Sequence, residues 1–164
     1  MDVLQFEGVV CNGMGRFNVL EIPGRAKLPV APADWPEVLT AGSLNVRIIH
    51  NGFPTDFTQR GLAASVVAFD QGVFEPEFEI GWDQIGNNTL TPTSAMPCRG
   101  DAQVWRAEIL LADGRSIRGC WMLRRIGSRV GEQLEFVAGR RLRDDELSNC
   151  TLVRVLVYGR WRDA

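Results

Sequence analysis

In the stretch "AGSLNVRI", Ser43 and Asn45 stand two residues apart with Leu44, Val46 and Ile48 interleaved. Side chains of an extended segment alternate between faces, so the Ser43 hydroxyl and the Asn45 amide share one face and the aliphatic residues take the other. Two neutral hard oxygens suit Mg²⁺, which needs few protein ligands and keeps the rest of its shell for water and substrate phosphates. The competing reading is a strand entry in which both side chains bond local backbone. A second stretch, "GVVCNGMGRFNVLEIPG", carries Gly13 and Gly15 beside Arg16, with Lys27 a little further on. Glycine lets the backbone turn N–H groups toward an anion, which makes this a candidate phosphate cradle with Arg16 and Lys27 as neutralising cations. A hairpin turn needing positive φ accounts for the same glycines. The third candidate is Glu135 in "GEQLEFVAGRR", between Leu134 and Phe136. In a strand it faces away from both, and a carboxylate at a barrel mouth can take a proton from a substrate hydroxyl; an ordinary exposed strand carboxylate is the plainer alternative.

Residues this far apart meet only if the chain between them is folded in register. Short runs rich in Val, Ile, Leu and aromatic residues are separated by Gly, Pro and Asn, and 3.6-residue periodicity is almost absent. That pattern is all-β. Strands are expected at Leu4–Val10, Arg16–Leu20, Leu44–Ile49, Ala63–Phe69, Phe74–Ile80, Asp101–Leu111, Ile117–Leu123, Leu134–Ala138 and Leu152–Tyr158. Asp113-Gly114 in "LADGRS" marks a tight hairpin. Two short helices are expected, one in "APADWPEVLTAG" with Asp34 as N-cap and Gly42 as stop, the other in "GRRLRDDELSN". Turn formers crowd "IGNNTLTPTSAMPCRG", which makes residues 71–100 an excursion or lid-like loop.

Composition narrows the function classes. A chain of 164 residues with 45% hydrophobic residues, 23% charged residues and a net charge of -2 reads as one globular domain. It lacks the basic excess with which proteins hold nucleic acid through phosphates, so nucleic acid is not an expected partner. No basic leader and no run of roughly 18 apolar residues is present, which predicts a cytoplasmic protein without a membrane partner. Cys11, Cys98, Cys120 and Cys150 are widely spaced, and the chain has one histidine, His50. Reduced thiols are expected, three of the four as buried small hydrophobes. Among the tryptophans, Trp105 and Trp121 flank the hairpin turn as core residues, while Trp82 beside the Asn-rich loop is the candidate for stacking a ligand or anchoring a partner.

The order of a Gly-rich strand end, a Trp-Pro segment, "AGSLNVRI" and a late "LEFVAGRRLRDDEL" followed by a β-run resembles the archaeal-type CTP-dependent riboflavin kinases. That family carries a Gly-Thr-Leu-Asn-Val motif, matched here by Gly42-Ser43-Leu44-Asn45-Val46. The likeness covers roughly Phe6 to Gly52 and Cys120 to Val157, whereas "WMLRRIGSRVGEQ" lacks the family's Thr-His-Tyr-like segment. The resemblance implies a single closed cradle-loop (RIFT-related) barrel of about six strands over residues 1–164. It also implies transfer of the γ-phosphoryl group of CTP to riboflavin, giving FMN. On that reading Ser43 and Asn45 hold Mg²⁺, Gly13, Gly15, Arg16 and Lys27 hold the nucleotide, and Glu135 is the base. A barrel that binds a nucleotide, flavin or other small ligand without transfer, or an interaction module, stands as the alternative.

Overall fold

The structure, a computed structural model, describes residues 1–11, 21–40, 44–49, 67–88, 94, 100–126, 133–145 and 147–162. In chain order its elements are β1 (Asp2–Cys11), β2 (Leu44–Ile48), a single helical turn α1 (Val67–Asp70), β3 (Phe74–Glu75), β4 (Phe78–Ile80), β5 (Ala102–Leu111), β6 (Ser116–Arg125), β7 (Gln133–Val137) and β8 (Leu152–Trp161). Strands β8, β1, β2, β7, β6 and β5 pair antiparallel in that order, and β5 pairs back onto β8, closing a six-stranded barrel. Strands β3 and β4 lie outside the ring, on β8 and β5 respectively. Closure leaves no unpaired edge within the ring itself. Among the described residues no helix is long and apolar enough to cross a membrane.

Alternation sorts the strand residues into two apolar clusters. Leu4, Phe6 and Val10 of β1, Leu44, Val46 and Ile48 of β2, Leu134 and Phe136 of β7, and Val153, Val155 and Val157 of β8 fill the barrel with Trp105 and Met122. The opposite wall of the sheet is also apolar where Ala102, Val104, Trp121, Leu123 and Val137 meet Leu28, Trp35, Phe78, Ile80 and Ile85. The segment 21–40 therefore covers the outside of β5, β6 and β7. The β5–β6 hairpin turns at Asp113-Gly114 as the sequence predicts, with Gly114 at φ +91° and its N–H bonded to the Leu111 carbonyl at 3.0 Å.

Several expectations are corrected. The strand expected at Ala63–Phe69 is, in its described part, the helical turn α1, and Phe69 is fully buried against Phe6, Phe74 and Trp105. Asp70, the next residue, closes a bidentate pair with the buried Arg124 at 2.5 and 3.0 Å, so tertiary contacts override the β-branched run before it. Residues 31–40 form turns instead of a helix: Trp35 is drawn into the outer cluster and Asp34 binds Arg106 instead of capping. The run Phe74–Ile80 divides into β3 and β4 at Pro76, whose missing N–H interrupts a ladder. The helix expected in "GRRLRDDELSN" is a 3-10 turn, Leu142–Asp145. Only Cys120 of the three described cysteines is buried; Cys11 is half-buried and Cys150 exposed. The strand expected at Arg16–Leu20 lies outside the described residues.

Candidate functional site

Asn45 on β2 and Glu135 on β7, ninety positions apart in sequence, are direct cross-strand partners. Their chain neighbours Leu44, Val46, Leu134 and Phe136 all pack inside the barrel, so both polar side chains stand on its outer wall. The same row continues to Cys11 on β1, opposite Asn45, and to Leu123 on β6, opposite Glu135. Asn45 is 5% exposed and Glu135 8% exposed. Arg125, two residues beyond Leu123 and on the same wall, is also buried, while Arg47 on β2 is exposed. Buried polar groups are costly unless satisfied, so three of them contiguous beside an apolar cluster mark the part of the wall that packing alone does not explain.

A cavity of about 680 Å³ meets the barrel wall at Val137, two residues along β7 from Glu135, and neither Asn45 nor Glu135 lines it. Its walls come from residues 21–27, 37–40 and 83–86, and Val137 forms its floor. Val137 shares a face with Glu135, one side-chain repeat of roughly 7 Å along β7. Thr40 on the wall donates its N–H to the Ala138 carbonyl at 3.1 Å, laying the segment beside the end of β7. Lys27, exposed and the chain's one lysine, lines the cavity at the end of a 3-10 turn. Glu21, Glu37 and Asp83 line it as well, with Glu37 paired to Arg25 at 2.6 Å and Glu21 accepting from Asn87 Nδ2 at 3.0 Å. Paired backbone bonds between Glu21 and Gly86, at 2.9 and 3.0 Å, tie two of the walls together.

Those walls are held down by aromatic packing and one ion pair. Trp35 is fully buried, makes edge contacts with Phe78 at 5.0 Å and Trp121 at 5.1 Å, and donates Nε1–H to the Pro23 carbonyl at 3.0 Å. Beside it Arg106 grips both carboxylate oxygens of Asp34 while its guanidinium lies 4.7 Å over the Trp121 ring. The hydrogen bond from Arg106 holds the Asp34 carboxyl below the usual carboxylate range, and Arg106 is raised in turn by the same bond.

Of the residues singled out from sequence, Asn45 and Glu135 are thus paired, Lys27 lines a cavity that neither of them lines, and Gly13, Gly15, Arg16 and Ser43 lie outside the described residues. In sequence Ser43 falls between Thr40, on the cavity wall, and Leu44, the first residue of β2. Trp105 and Trp121 are core residues as expected. Trp82 is half-buried and packs on Gly100, where an added Cβ would come within 2.2 Å of its ring, so its indole has a structural partner. Arg125 and the acidic cavity walls escaped the sequence reading. Arg125 had a signal, since it continues the alternation Trp121, Leu123 onto the outer wall. The amide oxygen of Asn45 is a hard donor of the kind Mg²⁺ takes, and among the described residues no group of three or more His, Cys, Asp or Glu side chains could hold a metal ion. Compared with known proteins, the chain matches no family model and no curated protein.

Proposed function

We propose that this protein is a CTP-dependent riboflavin kinase built on a cradle-loop barrel. The observation that supports the reading is the cross-strand pairing of Asn45 with Glu135, buried together on the barrel wall two residues along β7 from Val137, where the cavity that Lys27 lines meets that wall. Two candidates chosen for different chemistry, a metal oxygen and a base, arrive at adjacent positions. A cavity of about 680 Å³ is of a size that takes a nucleotide or flavin.

In this reading Asn45, with Ser43, would hold Mg²⁺, which supplies charge neutralisation at the CTP phosphates. Lys27 and Arg16 pair with phosphate oxygens, and the Gly13 and Gly15 amides cradle them. Glu135 accepts the proton of the riboflavin 5′-hydroxyl as that oxygen attacks the γ-phosphorus. The bond from the γ-phosphorus to the bridging oxygen breaks, leaving CDP and FMN. Positioning and electrostatics carry most of the rate.

The second reading is a binder that performs no transfer, and the acidic cavity walls favour it. With Glu37 paired to Arg25, Glu21 and Asp83 still outnumber Lys27 there, so a bare triphosphate is disfavoured and a ligand that brings its own cation or is uncharged is preferred. Melting curves with CTP, ATP or riboflavin, each with and without Mg²⁺, separate the readings. The kinase reading expects CTP to stabilise only with Mg²⁺, by about 2.7 kcal/mol at a hundredfold excess over Kd. Stabilisation by riboflavin alone favours the binder, and no response to any of the three rejects both.

A further inference from the structure

We infer that the cavity on the outer wall of the barrel is a site for a small zwitterion, a free amino acid or short peptide that keeps both its ammonium and its carboxylate. This deepens the ligand-binding reading above, on which it rests, and requires no phosphoryl transfer. A charge pattern carries it. Lys27 and Asp83 both line the cavity of about 680 Å³, both are exposed, and neither side chain has an ion-pair or hydrogen-bond partner among the described residues. Opposite charges that line one concavity without neutralising each other leave that task to a ligand.

The two charges are held at different crossings of the cavity walls. At the first, Glu21 and Gly86 exchange backbone bonds at 2.9 and 3.0 Å. The Glu21 carboxylate is fixed there: Oε1 accepts from Asn87 Nδ2 at 3.0 Å, and Oε2 lies 2.7 Å from where a Cβ on Gly86 would stand. Asp83 belongs to the same wall, in a 3-10 turn, Trp82–Gln84, that leads into Gly86. That turn is pinned, with the Trp82 N–H on Asp101 Oδ1 at 2.6 Å and the Gly81 N–H on Gln84 Oε1 at 3.0 Å. Glu21 and Asp83 thus form an acidic end. At the second crossing Gly24 meets the Glu37 carbonyl so closely that an added Cβ would come within 1.8 Å of its oxygen. Arg25 continues this contact, donating its N–H to the Pro36 carbonyl at 3.0 Å and pairing with the Glu37 carboxylate at 2.6 Å, which leaves that carboxylate committed. Lys27 closes the turn that follows, Arg25–Lys27, and supplies the basic end. The chain from Glu21 to Gly24 can span at most roughly 10 Å, so both ends lie within reach of one small molecule.

The chemistry follows from the lining. A ligand ammonium pairs with Asp83 and with the Glu21 oxygen that Asn87 does not bind, and a ligand carboxylate pairs with Lys27. Between them Ile22, Leu39 and Val137 present apolar surface for a hydrocarbon body. An anion alone meets the acidic end, and a cation alone leaves Lys27 repelling it; a zwitterion answers both ends with no net charge. The volume lies within the roughly 300–1,000 Å³ of small-molecule sites.

Isothermal titration of the full chain with L-leucine and with L-leucyl-L-leucine tests this, beside the N-acetyl and C-terminal amide forms of the dipeptide and, separately, CTP with Mg²⁺. At least one zwitterion should bind, and the stronger of the two identifies amino acid or peptide as the source. Each capped dipeptide should bind roughly fivefold more weakly than the free one, the upper scale of an exposed ion pair. Lys27→Gln should make the dipeptide and its amide bind alike, and Asp83→Asn should narrow the preference over the N-acetyl form, both with unchanged melting temperature because both positions are exposed. Capped forms that bind as well as the free dipeptide, an amide that binds more tightly, or discrimination untouched by either substitution overturns the inference. Heat with Mg²⁺–CTP and none with either zwitterion overturns it and leaves the kinase standing, whereas silence with all of them rejects the ligand-binding reading as well.

Discussion

Asn45 and Glu135 are buried polar cross-strand partners on the outer wall of the barrel. In the proposed kinase Glu135, 8% exposed, is the base, and its replacement by the amide should remove function without loss of shape. Glu135→Gln is expected to lower kcat for FMN formation by about 10²-fold or more, the usual scale for general base assistance, with melting temperature and Mg²⁺–CTP affinity little changed. Asn45→Ala should instead weaken Mg²⁺–CTP binding together with turnover, because a metal oxygen acts in ground and transition states alike. Equal turnover by wild type and Glu135→Gln removes Glu135 as the base. At this scale the orientation of both residues was legible: Leu44, Val46, Leu134 and Phe136 go inward, so Asn45 and Glu135 must go outward. Their adjacency was not, because register between strands ninety residues apart is set by how the barrel closes and leaves no local trace.

The segment 21–40 is the element on which the site depends, and its attachment was the part read wrongly. Asp34 followed by Trp35 and Pro36 has the residue types of a helix start, yet a buried Trp35 and an Arg106 on β5 fix it as turns laid across the sheet. Partners distant in sequence made that choice. The hairpin at Asp113-Gly114, in contrast, was legible since the φ of +91° at Gly114 is a demand of the turn itself. The Asp34–Arg106 pair gives the attachment a pH signature. Asp34 is depressed in the folded state, so its contribution is complete above the unfolded carboxylate value of about 3.9 and fades as pH falls through the lower, folded value. With side chains 61% and 31% exposed, that contribution is expected to be at most about 1 kcal/mol. Denaturant melts of Asp34→Asn and wild type should differ near neutrality and draw together as the pH falls below the unfolded carboxylate value; a constant offset from neutrality into acid would falsify the assignment.

At the scale of the whole molecule, the ring of six strands brings together residues that no single element could. Strand β2 sits between β1 and β7, and this placement sets Cys11, Asn45 and Glu135 in one row. The β-rich composition made an all-β barrel legible, and the alternation made its interior legible. The second apolar cluster on the outer wall was not, because Trp121, Leu123 and Val137 read equally well as core until the strand directions are known. A net charge of -2 and the acidic walls of the cavity also favour a nucleotide that arrives with its metal. Conversion of riboflavin to FMN, followed chromatographically with Mg²⁺ and either CTP or ATP as donor, tests this account most directly. FMN should accumulate with CTP, far more slowly with ATP, and not at all when Mg²⁺ is chelated. Absence of FMN with both donors, from a folded protein that still binds Mg²⁺–CTP, would contradict the kinase and leave a ligand-binding barrel in its place.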